Sequence, residues 1–146
     1  MKREEIFQYV KEQYGTEPEY LWKKDPDSAV LRHKNGKWYA IIMAVKKKTL
    51  GLEEDGKINI LDVKCDPDLV GMLIQTYGFL PGYHMNKRHW ITILLDESVS
   101  EAKTLDFLDM YKLIFATGYF PNLVHGLAPL NFRRRITRPV SYYALF

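Results

Sequence analysis

The sequence predicts an α+β domain, an antiparallel β-sheet with helices packed on one side. Three observations carry this expectation. Asn35-Gly36 lies between two strand-like apolar runs, 29–33 and 38–45, the strongest short-range hairpin signal a sequence can hold. Apolar residues recur at helical spacing near the N-terminus, after Asp66 and after Ser98. The resulting order of helix, strands, helix, strand, helix lacks the regular alternation of βαβ units, which argues against a parallel sheet.

The first helix spans Lys2 to Tyr14, with Ile6, Phe7, Val10 and Tyr14 on one stripe and Gly15 as its stop. Pro18 makes the next stretch extended, and Tyr20, Leu21 and Trp22 are expected to anchor it to the core. A turn at Asp25-Pro26-Asp27-Ser28 leads to the hairpin. With Asn35-Gly36 as a two-residue type I′ loop, Lys34 would face Lys37, His33 would face Trp38 and Arg32 would face Tyr39. Period-2 alternation then puts Arg32, Lys34, Lys37 and Tyr39 on one face and Leu31, His33, Trp38 and Ala40 on the other. Lys46-Lys47-Lys48 follows, then a loop through Gly56 and a strand from Ile58 to Cys65. Asp66 and Pro67 suit the N-cap and first position of a helix burying Leu69, Val70, Leu73, Ile74 and Tyr77. A loop at 79–89 precedes a strand at 90–95. Ser98 with Glu101 predicts a capping box for a helix carrying Leu105, Leu108 and Tyr111.

At 146 residues the chain has the length of one domain, and its 47% apolar and 14% aromatic content is globular. Charge meets the N-terminus at once, which argues against a signal peptide, and no apolar run reaches membrane-spanning length. One cysteine, Cys65, excludes an internal disulfide and fits the cytoplasm. The net charge of +3 is unevenly spread. Residues 31–65 carry eight basic and four acidic groups, residues 66–110 three and seven, and residues 111–146 five and none. Two positive blocks therefore flank an acidic one, a pattern suited to a polyanion partner or to ordinary solvated lysines. Residues 119–146 lack acids, contain Arg133-Arg134-Arg135 and show no sustained period. They read as a basic extension to a domain of residues 1–118, either an arm for nucleic acid or an unordered or non-native addition.

No enzyme motif emerges. There is no GxSxG, no phosphate-cradling glycine loop and no HExxH, so no catalytic residue and no cofactor is expected. Cys65 beside Asp66 lacks the electropositive setting of a nucleophile. His84 and His89 have half of a zinc spacing without its cysteines, and no metal site is expected. Glu53, Glu54, Asp55 and Asp62 are too few and too loop-bound to favour a hard cation. What stands out is the pairing of cations with aromatics at strand margins, in 34–39 and 84–90. Lysine and arginine neutralise phosphates, and exposed aromatics stack on bases. If the tryptophans are core anchors instead, the lysines are simply solvated.

Four segments in this order resemble the MmcQ/YjbR family: Gly15-Thr16-Glu17-Pro18-Glu19-Tyr20-Leu21-Trp22, Asn35-Gly36-Lys37-Trp38-Tyr39-Ala40, Leu61-Asp62-Val63-Lys64-Cys65-Asp66-Pro67, and Gly82-Tyr83-His84-Met85-Asn86-Lys87-Arg88-His89-Trp90. The resemblance covers residues 15–96 and does not reach 119–146. It implies a CyaY-like fold, a curved antiparallel sheet backed by helices, and DNA binding by analogy with double-wing domains. Joined to that resemblance, the basic segments are read as those of a non-enzymatic DNA-binding domain. Arg32, Lys34, Lys37, Tyr39, Lys46, Lys47, Lys87 and Arg88 would meet phosphates with little base discrimination. The alternative is a small-ligand or protein-binding module whose pocket is lined by Trp38, His84, His89 and Trp90. A monomer is the default.

Overall fold

The computed structural model describes the backbone of residues 1–117 and the side chains of residues 1–111. The expected basic extension, 119–146, lies outside the described residues. Helix α1 (Arg3–Tyr14) leads into β1 (Ala29–Arg32) and β2 (Trp38–Lys46). A 3-10 turn (Lys47–Leu50) then precedes β3 (Lys57–Lys64), α2 (Pro67–Leu73), β4 (Phe79–Pro81), β5 (Trp90–Leu94) and α3 (Glu101–Thr117). The five strands form one open, antiparallel sheet in the order β1-β2-β3-β5-β4. The α+β class, the antiparallel sheet and the one-sided helices are as the sequence predicts.

The alternation of each strand sorts its side chains onto two faces. One face turns Leu31, Ala40, Ile42, Leu61, Val63, Ile91 and Ile93 toward the helices, which return Ile6 and Val10, Leu69 and Leu73, and Phe107 and Leu108. This is the main core, and truncating Phe107 to alanine there would cost about 3–5 kcal/mol. Asp109 on α3 ties α1 to this core, accepting hydrogen bonds from the hydroxyls of Tyr9 (2.7 Å) and Tyr14. Burial, reinforced by the Asp109 charge, raises the Tyr14 hydroxyl well above the ordinary tyrosine pKa.

The other face carries Val30, Ile41, Ile60 and Leu94, and among the described residues loops rather than helices cover it. Leu50 and Leu52 lie over one end, and Tyr83 and Met85 reach over from the loop before β5. That loop crosses close to β5 at Gly82, where a Cβ would stand 2.8 Å from that of Trp90.

Four local expectations need correction. The hairpin turn is longer than two residues, because only Gly36 has positive φ (85°) and the Gly36 amide bonds to the His33 carbonyl at 2.9 Å. His33 then closes the loop by donating its amide to Lys37 O at 2.8 Å, the pattern of a type I turn ending in a left-handed glycine. Helix α2 stops at Leu73, leaving Ile74 and Tyr77 exposed. Residues Phe79–Pro81 form an edge strand where a loop was expected. The cap of α3 is Ser100, whose Oγ accepts from the Lys103 amide at 3.2 Å, while Ser98 bonds back to Asp96.

Candidate nucleic-acid interface

Strand register decides which of the expected cations meet. Both β2 and β5 pair with β3, Ala40 opposite Val63 and Trp90 opposite Lys64, so their first residues lie at the same end of the sheet. The turn carrying Lys34 and Lys37 and the loop carrying Lys87 and Arg88 therefore flank one end, although Lys37 and Lys87 lie 50 positions apart in the sequence. Lys34, Lys37 and Arg88 are exposed and have no side-chain partner among the described residues. The Lys87 ammonium donates to Gly82 O at 3.0 Å, and the side chain is exposed. Asn86 shapes this loop by accepting the Arg88 amide at 2.9 Å, and His89 fastens it by accepting the Cys65 amide at 2.7 Å.

Three of the expected contacts do not join this end. Lys46 and Lys47 sit at the far end of β2, whose nine residues put roughly 25–30 Å between them and the hairpin tip. There Lys47 pairs with Glu54 at 2.6 Å, and neighbouring Lys48 pairs with Asp55 at 2.9 Å. Tyr39 is fully buried, which corrects its expected place on the exposed basic face. The cause is a bulge: pairing runs from Leu31–Ala40 to Arg32–Trp38, skipping Tyr39. The extra residue turns toward the helices, where its hydroxyl donates to Thr16 Oγ1 at 3.1 Å.

Arg32 lies at the correct end but is already engaged. Its guanidinium pairs with Glu19, donates to Gly36 O at 3.1 Å and lies 5.5 Å from the Trp38 ring centroid. It braces the hairpin more than it offers charge. The same bulge places Trp38 opposite Arg32 on the outer face, correcting the expected His33–Trp38 and Arg32–Tyr39 pairings.

The four residues of the alternative pocket divide. Trp38 and Trp90 join one apolar cluster on the outer face, with Val30, Ile41, Met43 and Met85. Trp90 is only 5% exposed, leaving little ring for a ligand. His84 and His89 are exposed on the loop, where His84 adopts a positive φ of 57° and packs against Tyr83 at a 42° tilt, with centroids 4.1 Å apart.

The sequence reading missed several contributors. Lys64 ends β3 at this same end, its ammonium 5.8 Å from the Trp90 ring centroid. Lys23 and Lys24 are exposed and follow Trp22, whose ring meets Trp38 edge-on at 5.9 Å. Trp22 followed by two lysines was the signal, a third pairing of cations with an aromatic. Two acids, Asp66 and Asp68, also stand near this end at the start of α2 and temper its charge.

One buried acid underlies the 82–89 loop. Asp62 sits fully buried in the outer face, opposite Thr92, whose hydroxyl donates to it. Its second carboxylate oxygen has no hydrogen-bond partner. Burial pushes its pKa up to about 7, against the opposing pull of the Thr92 hydroxyl, the Tyr83 amide and the Lys87 charge. Cys65 is buried too, its thiol pushed up to about 12 first by burial and then by Asp66. Such a thiol stays protonated and unreactive at neutral pH. Among the described residues no three His, Cys, Asp or Glu side chains converge as metal ligands. No helix among them is long and apolar enough to cross a membrane.

Residues 11–110 match the model of the YjbR family. The uncharacterised protein YyaQ of Bacillus subtilis (strain 168) is 46% identical over 110 residues, which cover 75% of this chain and 93% of YyaQ. The uncharacterised YbdF of Escherichia coli O157:H7 is 37% identical over 59 residues, 39% of this chain and 48% of YbdF. A crystal structure of a Pseudomonas syringae protein superimposes with a TM-score of 0.73 at 38% identity, covering 75% of this chain and 94% of that one. Deinococcus radiodurans DR2400 shares the fold at a TM-score of 0.58 and 22% identity, covering 94% of this chain and 89% of its own. The match over two thirds of the chain, together with a relative this similar across nearly its whole length, has one consequence: this chain belongs to the YjbR family.

Proposed function

We propose that the protein is a non-enzymatic nucleic-acid-binding module that holds DNA phosphates at the hairpin end of its sheet. One observation carries the reading: Lys34, Lys37 and Arg88, from two distant segments, flank the same end with their charges turned to solvent, and the exposed Lys87 stands among them with its ammonium on Gly82 O. Exposed cations that no acid neutralises by a direct ion pair suit a polyanion, because each phosphate contact releases condensed counterion. The footprint is smaller than the eight residues expected from sequence, since Tyr39 is buried and Lys46 and Lys47 lie at the other end. The described helices bring no arginine, asparagine or glutamine cluster to this end, so backbone contacts dominate and base discrimination is slight.

The test is a fluorescence anisotropy titration of a labelled 20-base-pair duplex at several salt concentrations. About four phosphate contacts predict a slope of log K against log salt of about −3 to −4. Replacing Lys34, Lys37, Lys87 and Arg88 together by alanine should flatten the slope toward zero and weaken binding by about 100-fold at low salt. A quadruple variant that is folded and binds like the parent protein would defeat the proposal.

A further inference from the structure

Residues 20–22 were expected to anchor their segment in the core, yet they are among the most exposed large apolar side chains described. Tyr20 is 55% exposed, Leu21 45% and Trp22 38%. Their placement is nonetheless firm. Just before them, Glu19 exchanges both backbone hydrogen bonds with Val30 on the edge strand β1, at 3.0 and 2.9 Å. Its carboxylate also pairs with Arg32, and Trp22 rests edge-on against Trp38. The rings are held out to solvent by a fixed backbone.

Their surroundings say what partner they suit. Lys23 and Lys24 follow directly and are exposed. Lys37 precedes Trp38, the ring that Trp22 touches, and Lys34 lies across the same turn. Asp25, the next acid along, is turned back onto the hydroxyl of Ser28. An apolar protein partner would gain nothing from four flanking lysines. Duplex DNA would meet the lysines but keep its base faces hidden within the stack. A strand with unstacked bases meets both, its phosphates on the ammoniums and its bases on the rings.

We propose that the preferred ligand is single-stranded nucleic acid, with bases stacking on Tyr20 and Trp22 while Lys23, Lys24, Lys34 and Lys37 hold the backbone. This rests on the nucleic-acid reading above and narrows it. The strand would run along the β1 edge of the hairpin end, so the aromatic segment, not the sheet face, selects the ligand. Sequence preference should be weak, because every base has a stacking face.

The experiment compares a labelled 15-nucleotide oligo-dT with a labelled 15-base-pair duplex at about 50 mM salt. The parent protein should bind oligo-dT at least several-fold more tightly than the duplex. Y20A and W22A should each weaken oligo-dT binding by on the order of 10-fold and change duplex binding less than 2-fold. Y20F and W22F keep a stacking face and should restore most of the affinity, which a loss of folding would not allow. Tighter binding to the duplex, with Y20A and W22A silent, overturns this inference and leaves the nucleic-acid reading standing. Binding to neither probe overturns both. Dimerisation in light scattering that is abolished by W22A would give the surface to a second copy of the chain and overturn the inference as well.

Discussion

The two ends of the sheet both carry lysines and treat them differently, although Lys46 and Lys57 at the far end are exposed and have no ion pair among the described residues. At the end where β2 meets β3, the 47–56 loop folds its own acids back, so that Lys47 meets Glu54 and Lys48 meets Asp55. At the hairpin end Lys34, Lys37 and Arg88 have no such partner, and aromatic rings stand beside them. Lysine content alone does not distinguish a binding surface from a solvated loop. What distinguishes them is whether the acids nearest in sequence are also nearest in space. Exposed pairs of this kind add little stability, typically below ~1 kcal/mol, yet they remove charge that a phosphate could otherwise use.

The largest expected effect concerns what lies beneath each loop. The 82–89 loop covers Asp62, whereas the 47–56 loop lays its own Leu50 and Leu52 over Val45, Ile58, Ile60 and Leu94. Because the folded pKa of Asp62 is raised to about 7, the unfolded chain releases this proton more readily. The group therefore draws stability away as pH rises from about 4 to 7, and the loss is complete above the folded pKa. Asp62→Asn keeps an acceptor for the Thr92 hydroxyl and removes the ionisation. The stability difference, variant minus parent, should rise by about 2–3 kcal/mol between pH 5 and pH 8, read from urea unfolding. A difference independent of pH would show that Asp62 does not titrate beneath the loop.

A smaller effect sharpens the contrast between the ends. Replacing Glu54 by glutamine and Asp55 by asparagine frees Lys47 and Lys48 and should make the far end resemble the hairpin end. Duplex affinity should rise severalfold at low salt, with a slope steeper by about one to two. The smallest effect is the control: alanine at Lys46 and Lys47 in the parent protein should change duplex binding less than about 2-fold, measured by the same titration. A loss as large as that of the hairpin variants would erase the distinction.

The fold was legible because its signals are local. Asn35-Gly36 located the hairpin, Asp66-Pro67 located the start of α2, and the strand-like runs at 58–65 and 90–95 located β3 and β5. The site was less legible because its determinants are not local. Period-2 counting put Tyr39 beside Arg32, and one bulge reversed its face while bringing Trp38 there instead. Residues 20–22 look like core by composition, but only Glu19 of that segment bridges to β1, and the rings stay outside. The neutralisation of Lys47 and Lys48 depends on how a loop closes, which spacing does not reveal. Lys34, Lys37, Lys87 and Arg88 were found because they fall in two short segments that combine cations with aromatics at strand margins, and register then joined those segments.

The central claim is that one end of the sheet binds and the other does not. Backbone amide chemical shifts of the ¹⁵N-labelled full chain, followed while oligo-dT is added, test it most directly. Among the described residues, the account predicts saturable shifts concentrated in 20–24, 34–38 and 86–89, with 46–57 unmoved. Shifts of equal size at 46–57, or a diffuse set of small shifts tracking charge alone, would contradict it.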